Sequence, residues 1–273
     1  MVRIFIILHD CGHGSFFSSR RANEIVGTIC GFLTFTAFFQ WRHAHAMHHA
    51  TNGDLDRRGH GDVPMITVAE YLAMSPWQQL QYRIFRHPLT LLLAGPFYSF
   101  VITQRFTYKD SGLRERLSVY GTNIVLLAIL VLSYFTIGIP TYLMIQGPVI
   151  IFAGMIAIWL FYCQHQFEGV YFAHHDEWSY EDAAIKGSSY FQLPRILQWF
   201  TGNIGFHHVH HLSPRIPNYH LEACHEAHPY FQEATTITLR SSLSYFALKF
   251  WDEERGELVG LDQIKSYHMS TQP

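Results

Sequence analysis

The chain has 273 residues, 49% of them hydrophobic, 16% aromatic and 15% charged, with a formal net charge of -2. That length admits one large domain or two small ones, and the apolar, aromatic-rich balance leans towards a membrane protein. With a charge so near zero nothing suggests a nucleic-acid partner, and four cysteines without paired spacing read as reduced thiols rather than a disulfide framework.

In chain order, residues 1–8 are apolar apart from Arg3, too few to cross a hydrocarbon layer that takes roughly 20 residues in helix. They lead into a first histidine cluster, His9 and His13, with no cleavable leader evident. Cys11 inside it reads as a small filler. Residues 25–39 are apolar but short and are interrupted by Gly27 and Gly31, which predicts a re-entrant or interfacial helix that returns the chain to the side it left. The second cluster, His45, His48 and His49, follows, and then a polar loop, residues 53–62, rich in turn formers. His60 there reads as a plain loop histidine.

Residues 89–102, with Gly95 and Pro96, predict a helix lying in the membrane interface. Residues 119–137 and 141–163 predict two transmembrane helices joined by a tight turn. No Lys or Arg occurs in residues 117–185, whereas basic residues crowd both flanks. The positive-inside rule then turns the hairpin's tip outward and both its flanks to the cytoplasm. Residues 183–200 predict a loop and an amphipathic helix, followed by the third cluster, His207, His210 and His211. Two prolines, Pro214 and Pro217, end that helix. Residues 212–273 form a cytoplasmic tail, in which Leu239, Leu243, Phe246, Ala247 and Phe250 fall at helical offsets and predict a packing stripe. His174 and His175 read as surface residues or supports of the site, and His220, His225 and His228 as bland.

The clusters carry the chemistry. Residues three and four apart share one face of a helix, so each cluster can aim its imidazoles at one point. Eight such histidines exceed the four ligands of a tetrahedral zinc site, which makes two metals the natural count. Imidazole by itself suits iron, zinc, copper and nickel alike.

The wording of the clusters, HDCGHGSFF (residues 9–17), WRHAHAMHHATNGDLDRRGHGD (41–62) and TGNIGFHHVHHLSPRIPNY (201–219), resembles the membrane fatty acid desaturases, and within them the bacterial acyl-lipid branch. The likeness runs from about residue 7 to about residue 226. It implies an all-α integral membrane fold whose transmembrane hairpins carry a cytoplasmic helical cap, one desaturase domain over residues 1–273, and two iron ions held by His9, His13, His45, His48, His49, His207, His210 and His211. A ninth ligand is expected just after the second transmembrane helix, at His165, with His174 or His175 as its main rival. Asp10 and Glu168 are candidates to orient imidazole N–H groups. His43 and His208, off the ligand faces, are expected in supporting or structural roles. A membrane hairpin normally precedes the first cluster in the family, so the N-terminus reads as truncated.

The activity implied is oxygen-dependent formation of a cis double bond in a fatty acyl chain, with reduction of O2 to water, electrons from a ferredoxin or similar carrier, and a site on the cytoplasmic face of a bacterial cytoplasmic membrane. A hydroxylase or ketolase of the same superfamily, acting on acyl chains or carotenoids, would instead leave oxygen in its product. A histidine-rich metal-binding or transport protein would place ionisable residues inside the spanning helices; apart from the terminal Cys163 and weakly acidic tyrosines, residues 119–137 and 141–163 hold none. An inactive fragment is the remaining alternative.

Overall fold

The structure, a computed structural model, describes residues 1–59 and 63–264. His60 and the end of the tail from residue 265 lie outside them. The fold is helical. α1 (Val2–His13) closes on Gly14, whose φ of 71° lets the chain leave the helix while its N–H bonds the carbonyls of Asp10 and Cys11. α2 (Arg20–Leu33) is capped by the Ser19 side chain, and α3 (Phe38–Thr51) carries the second cluster.

α2 and α3 meet at 102° across a four-residue break, residues 34–37. The physical reason differs from the one expected. α2 runs unbroken through Gly27 and Gly31; it is the missing side chains that matter. A Cβ on Gly27 would lie 2.3 Å from the Phe38 ring, and one on Gly31 would lie 2.5 Å from the Thr36 carbonyl. The two glycines let the returning chain lie directly against α2.

Short helices α4 (Val68–Ala73) and α5 (Pro76–Phe85) follow, each opened by a capping box. Residues 90–102 form two wide turns of π-helix that pack on the second long helix. α6 (Leu113–Thr136) and α7 (Ile139–His165) are the two helices among the described residues that are long and apolar enough to cross a membrane. α6 begins six residues before the apolar stretch expected of it, and α7 extends past its own at both ends and ends on His165 itself. Their flanks expose large apolar side chains such as Ile124, Leu132, Phe135 and Phe152. This surface has a natural solvent in lipid.

The remainder builds a cap from α8 (Tyr180–Ile185), α9 (Arg195–Phe200), α10 (His207–Leu212), α11 (Leu221–Ala227), α12 (Pro229–Gln232) and α13 (Leu239–Ser244). Two small sheets stitch distant segments together. β1 (Ile66–Thr67) lies parallel to β4 (Phe250–Asp252), with Ile66 opposite Phe250, and β4 pairs antiparallel with β5 (Glu257–Val259). β2 (Tyr190–Gln192) lies parallel to β3 (Thr236–Thr238). The expected stripe in the tail is corrected here. The helix stops at Ser244, Leu243 and Ala247 are exposed, and Phe250 is buried in a strand rather than on a helical face.

The cap turns on Arg86, fully buried, whose guanidinium donates to the carbonyls of Pro64 (2.6 Å) and Leu248 (3.2 Å), to the hydroxyls of Tyr82 (3.2 Å) and Tyr162 (3.0 Å), and to the Gln166 side chain. Five residues from four segments thus share one cation at the foot of α7. Nearby, Gln164 donates to the carbonyl of Ile204 at 2.7 Å, fixing the approach to α10 against the end of α7.

Candidate metal centre

Three helices and the end of a fourth converge on one chamber. α1 brings His9 and His13, α3 brings His45, His48 and His49, α7 brings His165, and α10 brings His207, His210 and His211. The close approach of α1 to the α10 segment needs Gly202. Its φ is 56°, and a Cβ there would lie 2.8 Å from Ile6.

The nine imidazoles fall into two groups. Ring nitrogens of His9, His13, His45, His49 and His210 lie within 4.8 Å of one another, and so do those of His48, His165 and His211. His207 joins the second group: its Nε2 is 2.9 Å from Nε2 of His165 and 3.1 Å from Nε2 of His211. In the first group, His49 Nε2 stands 3.1 Å from that of His45 and 3.0 Å from that of His210. In the second, His48 and His165 are 3.2 Å apart.

These spacings suit metal ions. A nitrogen ligand sits about 2.1 Å from a first-row metal, which places neighbouring donors about 3 Å apart and opposite ones about 4.2 Å apart. His13 Nε2 is buried and has no hydrogen-bond partner among the described residues, as a donor atom aimed at an ion would be. Burial, and next the charge of neighbouring imidazoles, pushes the pKa values of His13, His207, His210 and His211 well below the ordinary range. These rings stay neutral, the form that binds a metal. Neither group contains a carboxylate among the described residues. An all-nitrogen donor set selects against calcium and magnesium, which take oxygen.

The supporting residues are divided. Asp10 touches an imidazole: its Oδ1 accepts from His9 Nδ1 at 3.0 Å. Glu168 does not. It is exposed beyond the end of α7, and the acceptor opposite His165 Nδ1 is the backbone carbonyl of Gly187, at 3.2 Å. His43 is also corrected, because the twist of α3 carries it to solvent, away from the His45/His48/His49 face. His208 is fully buried but points away from the chamber, with Nε2 3.1 Å from Nδ1 of His225. Burial and the neighbouring His225 hold its pKa down to about 4. His225, expected to be bland, is therefore its partner.

His174 and His175 lie outside the chamber. They join the loop after α7 to that after α3, His174 through Asp56 (3.1 Å) and His175 through Asp54 (2.9 Å), and His174 also reaches Glu253 (3.1 Å) in the turn between β4 and β5. Two aromatic walls went unnoticed in the sequence. Trp41 stacks on His45 at 4.5 Å with planes 18° apart, and Phe161 lies 5.1 Å from both His48 and His165. Each aromatic stands four residues before a chamber histidine, so helical periodicity could have found both.

An all-α membrane protein with a buried, nine-histidine chamber divided into two groups defines the class. The comparisons assign it within that class. Residues 1–241 match the family model described as fatty acid desaturase. A fatty acid desaturase of Bacillus subtilis (strain 168) is 46% identical over 273 residues, covering 100% of this chain and 78% of the relative. The sn-1 oleoyl-lipid 12-desaturase of Synechocystis is 27% identical over 231 residues, covering 81% of this chain and 63% of the relative. A chloroplastic sn-2 acyl-lipid omega-3 desaturase (ferredoxin) of Arabidopsis thaliana is 28% identical, covering 82% and 51%. The chain belongs to the fatty acid desaturase family.

Proposed function

We propose that the chain is a single-domain, multi-pass membrane acyl-lipid desaturase that introduces a cis double bond into a fatty acyl chain. The observation that carries this reading is the convergence of nine histidines into two donor groups of ion-binding dimensions beneath two long apolar helices. Two iron ions are the assignment that joins this all-imidazole donor set to the family's chemistry, and iron held there would supply the activation of O2 needed to attack an unactivated methylene.

The reaction balances as one saturated carbon pair, O2, two electrons and two protons giving one double bond and two waters. The protein's own part is to hold and to exclude. His9, His13, His45, His49 and His210 would hold one ion; His48, His165, His207 and His211 would hold the other. Trp41 and Phe161 flank the two groups with apolar rings, keeping water out and offering a surface that an acyl chain can wet. The carbonyl of Gly187 and the carboxylate of Asp10 fix ring orientations from behind.

The absence of Lys and Arg from residues 117–185 supports a chamber that opens to the cytoplasm. Electrons would come from a soluble carrier of the ferredoxin kind, named for the Arabidopsis relative. The test is gas chromatography with mass spectrometry of fatty acids from a bacterial host expressing the chain with ferredoxin and its reductase, beside a His48→Ala control. A new acid two mass units lighter than its saturated parent, absent from the control, is the expected result. A product that gains oxygen instead would replace the desaturase reading with a hydroxylase.

A further inference from the structure

Asp10 is a buried carboxylate, 1% exposed, and among the described residues no Lys or Arg pairs with it. Such a charge is costly unless N–H groups surround it. Three do: Nδ1–H of His9 at 3.0 Å on Oδ1, and the backbone N–H and side-chain Nδ2–H of Asn218 at 2.6 and 2.8 Å on Oδ2. Asn218 is itself buried and lies 208 positions away in the chain.

The placement of Asn218 follows from the turn after α10. Pro217 fixes an extended backbone ahead of it, and Asn218 opens a single 3-10 turn, so its N–H faces out of that turn and towards α1. The adjoining Tyr219 hydroxyl donates to the carbonyl of Phe16, past the end of α1, at 3.1 Å. The segment that leaves the third cluster thus straps the helix that bears the first. His9 and His210, one from each, face each other at 4.3 Å between ring centroids.

We propose that Asn218 is a positioning residue for the five-histidine group, acting through Asp10 on His9. A carboxylate can only accept, so Asp10 keeps the proton of His9 on Nδ1 and leaves Nε2 free as the donor to an ion. Asn218 holds Asp10 in the rotamer that does this, and its two hydrogen bonds to Oδ2 leave Oδ1 for the imidazole. Among the described residues the side-chain bonds of Asp10 and Asn218 reach His9 and each other and no histidine of the four-histidine group, of which His165 is oriented by the Gly187 carbonyl. Loss of Asn218 therefore weakens one group and spares the other.

This inference rests on the two-group reading of the chamber, and the experiment separates the two. The full chain in detergent, stripped of metal, is titrated with cobalt(II) followed by its visible absorption, alongside a thermal melt. Wild type takes up two ions. In Asn218→Asp, a second carboxylate beside Asp10 drives it off His9, and one of the two affinities falls by about 10–100-fold. Asn218→Ala loses the same phase less severely, and Asn218→Ser, which keeps a short donor, recovers most of it.

A strap that merely stabilised the fold would lower the melting temperature in all three variants while leaving both affinities unchanged or weakening them equally. Either result overturns the proposal. If wild type binds no cobalt, the two-group reading fails and the proposal falls with it.

Discussion

His49 and His211 stack face to face, with ring centroids 4.2 Å apart and planes inclined by 19°. They belong to different groups, one reaching the chamber from α3 and the other from α10. The two histidine groups therefore share a wall made of these two rings, and loss of either ring removes support from the other.

Replacing His211 with alanine should remove the ion of the four-histidine group outright and weaken the other by unstacking His49. Activity should fall by more than about a hundredfold, beyond the usual cost of losing a supporting residue. Metal analysis checks it: fewer than one ion per chain is expected for the four-histidine group, with partial loss from its neighbour.

His43 and Glu168 provide the contrast. Both are exposed and neither reaches an imidazole of the chamber. His43→Ala and Glu168→Gln should each leave stability within about 0.5 kcal/mol and metal content unchanged. Loss of metal in either variant would show that the chamber is assembled differently.

Gly27 and Gly121 should respond in opposite senses to alanine. A Cβ on Gly27 meets the buried Phe38 ring at 2.3 Å, and Phe38 has nowhere to go, so the substitution should cost about 1–3 kcal/mol. Around Gly121 nothing lies within 4 Å. There, in the interior of α6, alanine should be neutral or stabilising by up to about 1 kcal/mol. Thermal unfolding in detergent, read by near-ultraviolet dichroism, ranks the pair.

The His174 contacts add a dependence on pH. Hydrogen bonds to Asp56 and Glu253 hold the His174 pKa above the ordinary imidazole value. A raised pKa in the folded chain means that its contribution is fully present below about pH 6.5 and is lost as the pH rises through the raised value. The site is open to solvent, so the effect is modest and fades with salt. The protection of the β4–β5 hairpin, which carries Glu253, against hydrogen exchange, taken relative to the intrinsic base-catalysed rate at each pH, should fall between pH 6 and 8 in wild type and stay flat in His174→Ala.

The parts of this molecule legible in its sequence are those governed by periodicity and composition. Histidine offsets of three and four placed the three clusters on helix faces, and the two uninterrupted apolar runs gave α6 and α7. The bend between α2 and α3 was also legible, although its cause lay in packing: Gly27 and Gly31 matter through Phe38 and Thr36, contacts that no local pattern encodes. Illegible altogether were long-range partners. Nothing in residues 183–190 marks the Gly187 carbonyl as the acceptor for His165, and the nearby Glu168 was the chemically reasonable substitute. The tail misled for a similar reason, because the offsets from Leu239 to Phe250 are helical but pairing with β1 draws Phe250 into a strand.

The central claim is that one chamber holds two metal ions on nitrogen ligands alone. Mössbauer spectroscopy of the chain loaded with iron-57 in detergent, with the iron content measured on the same sample, tests it most directly. Two irons per chain, in nitrogen-rich high-spin environments of unequal spectra, are expected from groups of five and four histidines. A single iron per chain, two identical sites, or the signature of sulfur ligation would contradict it.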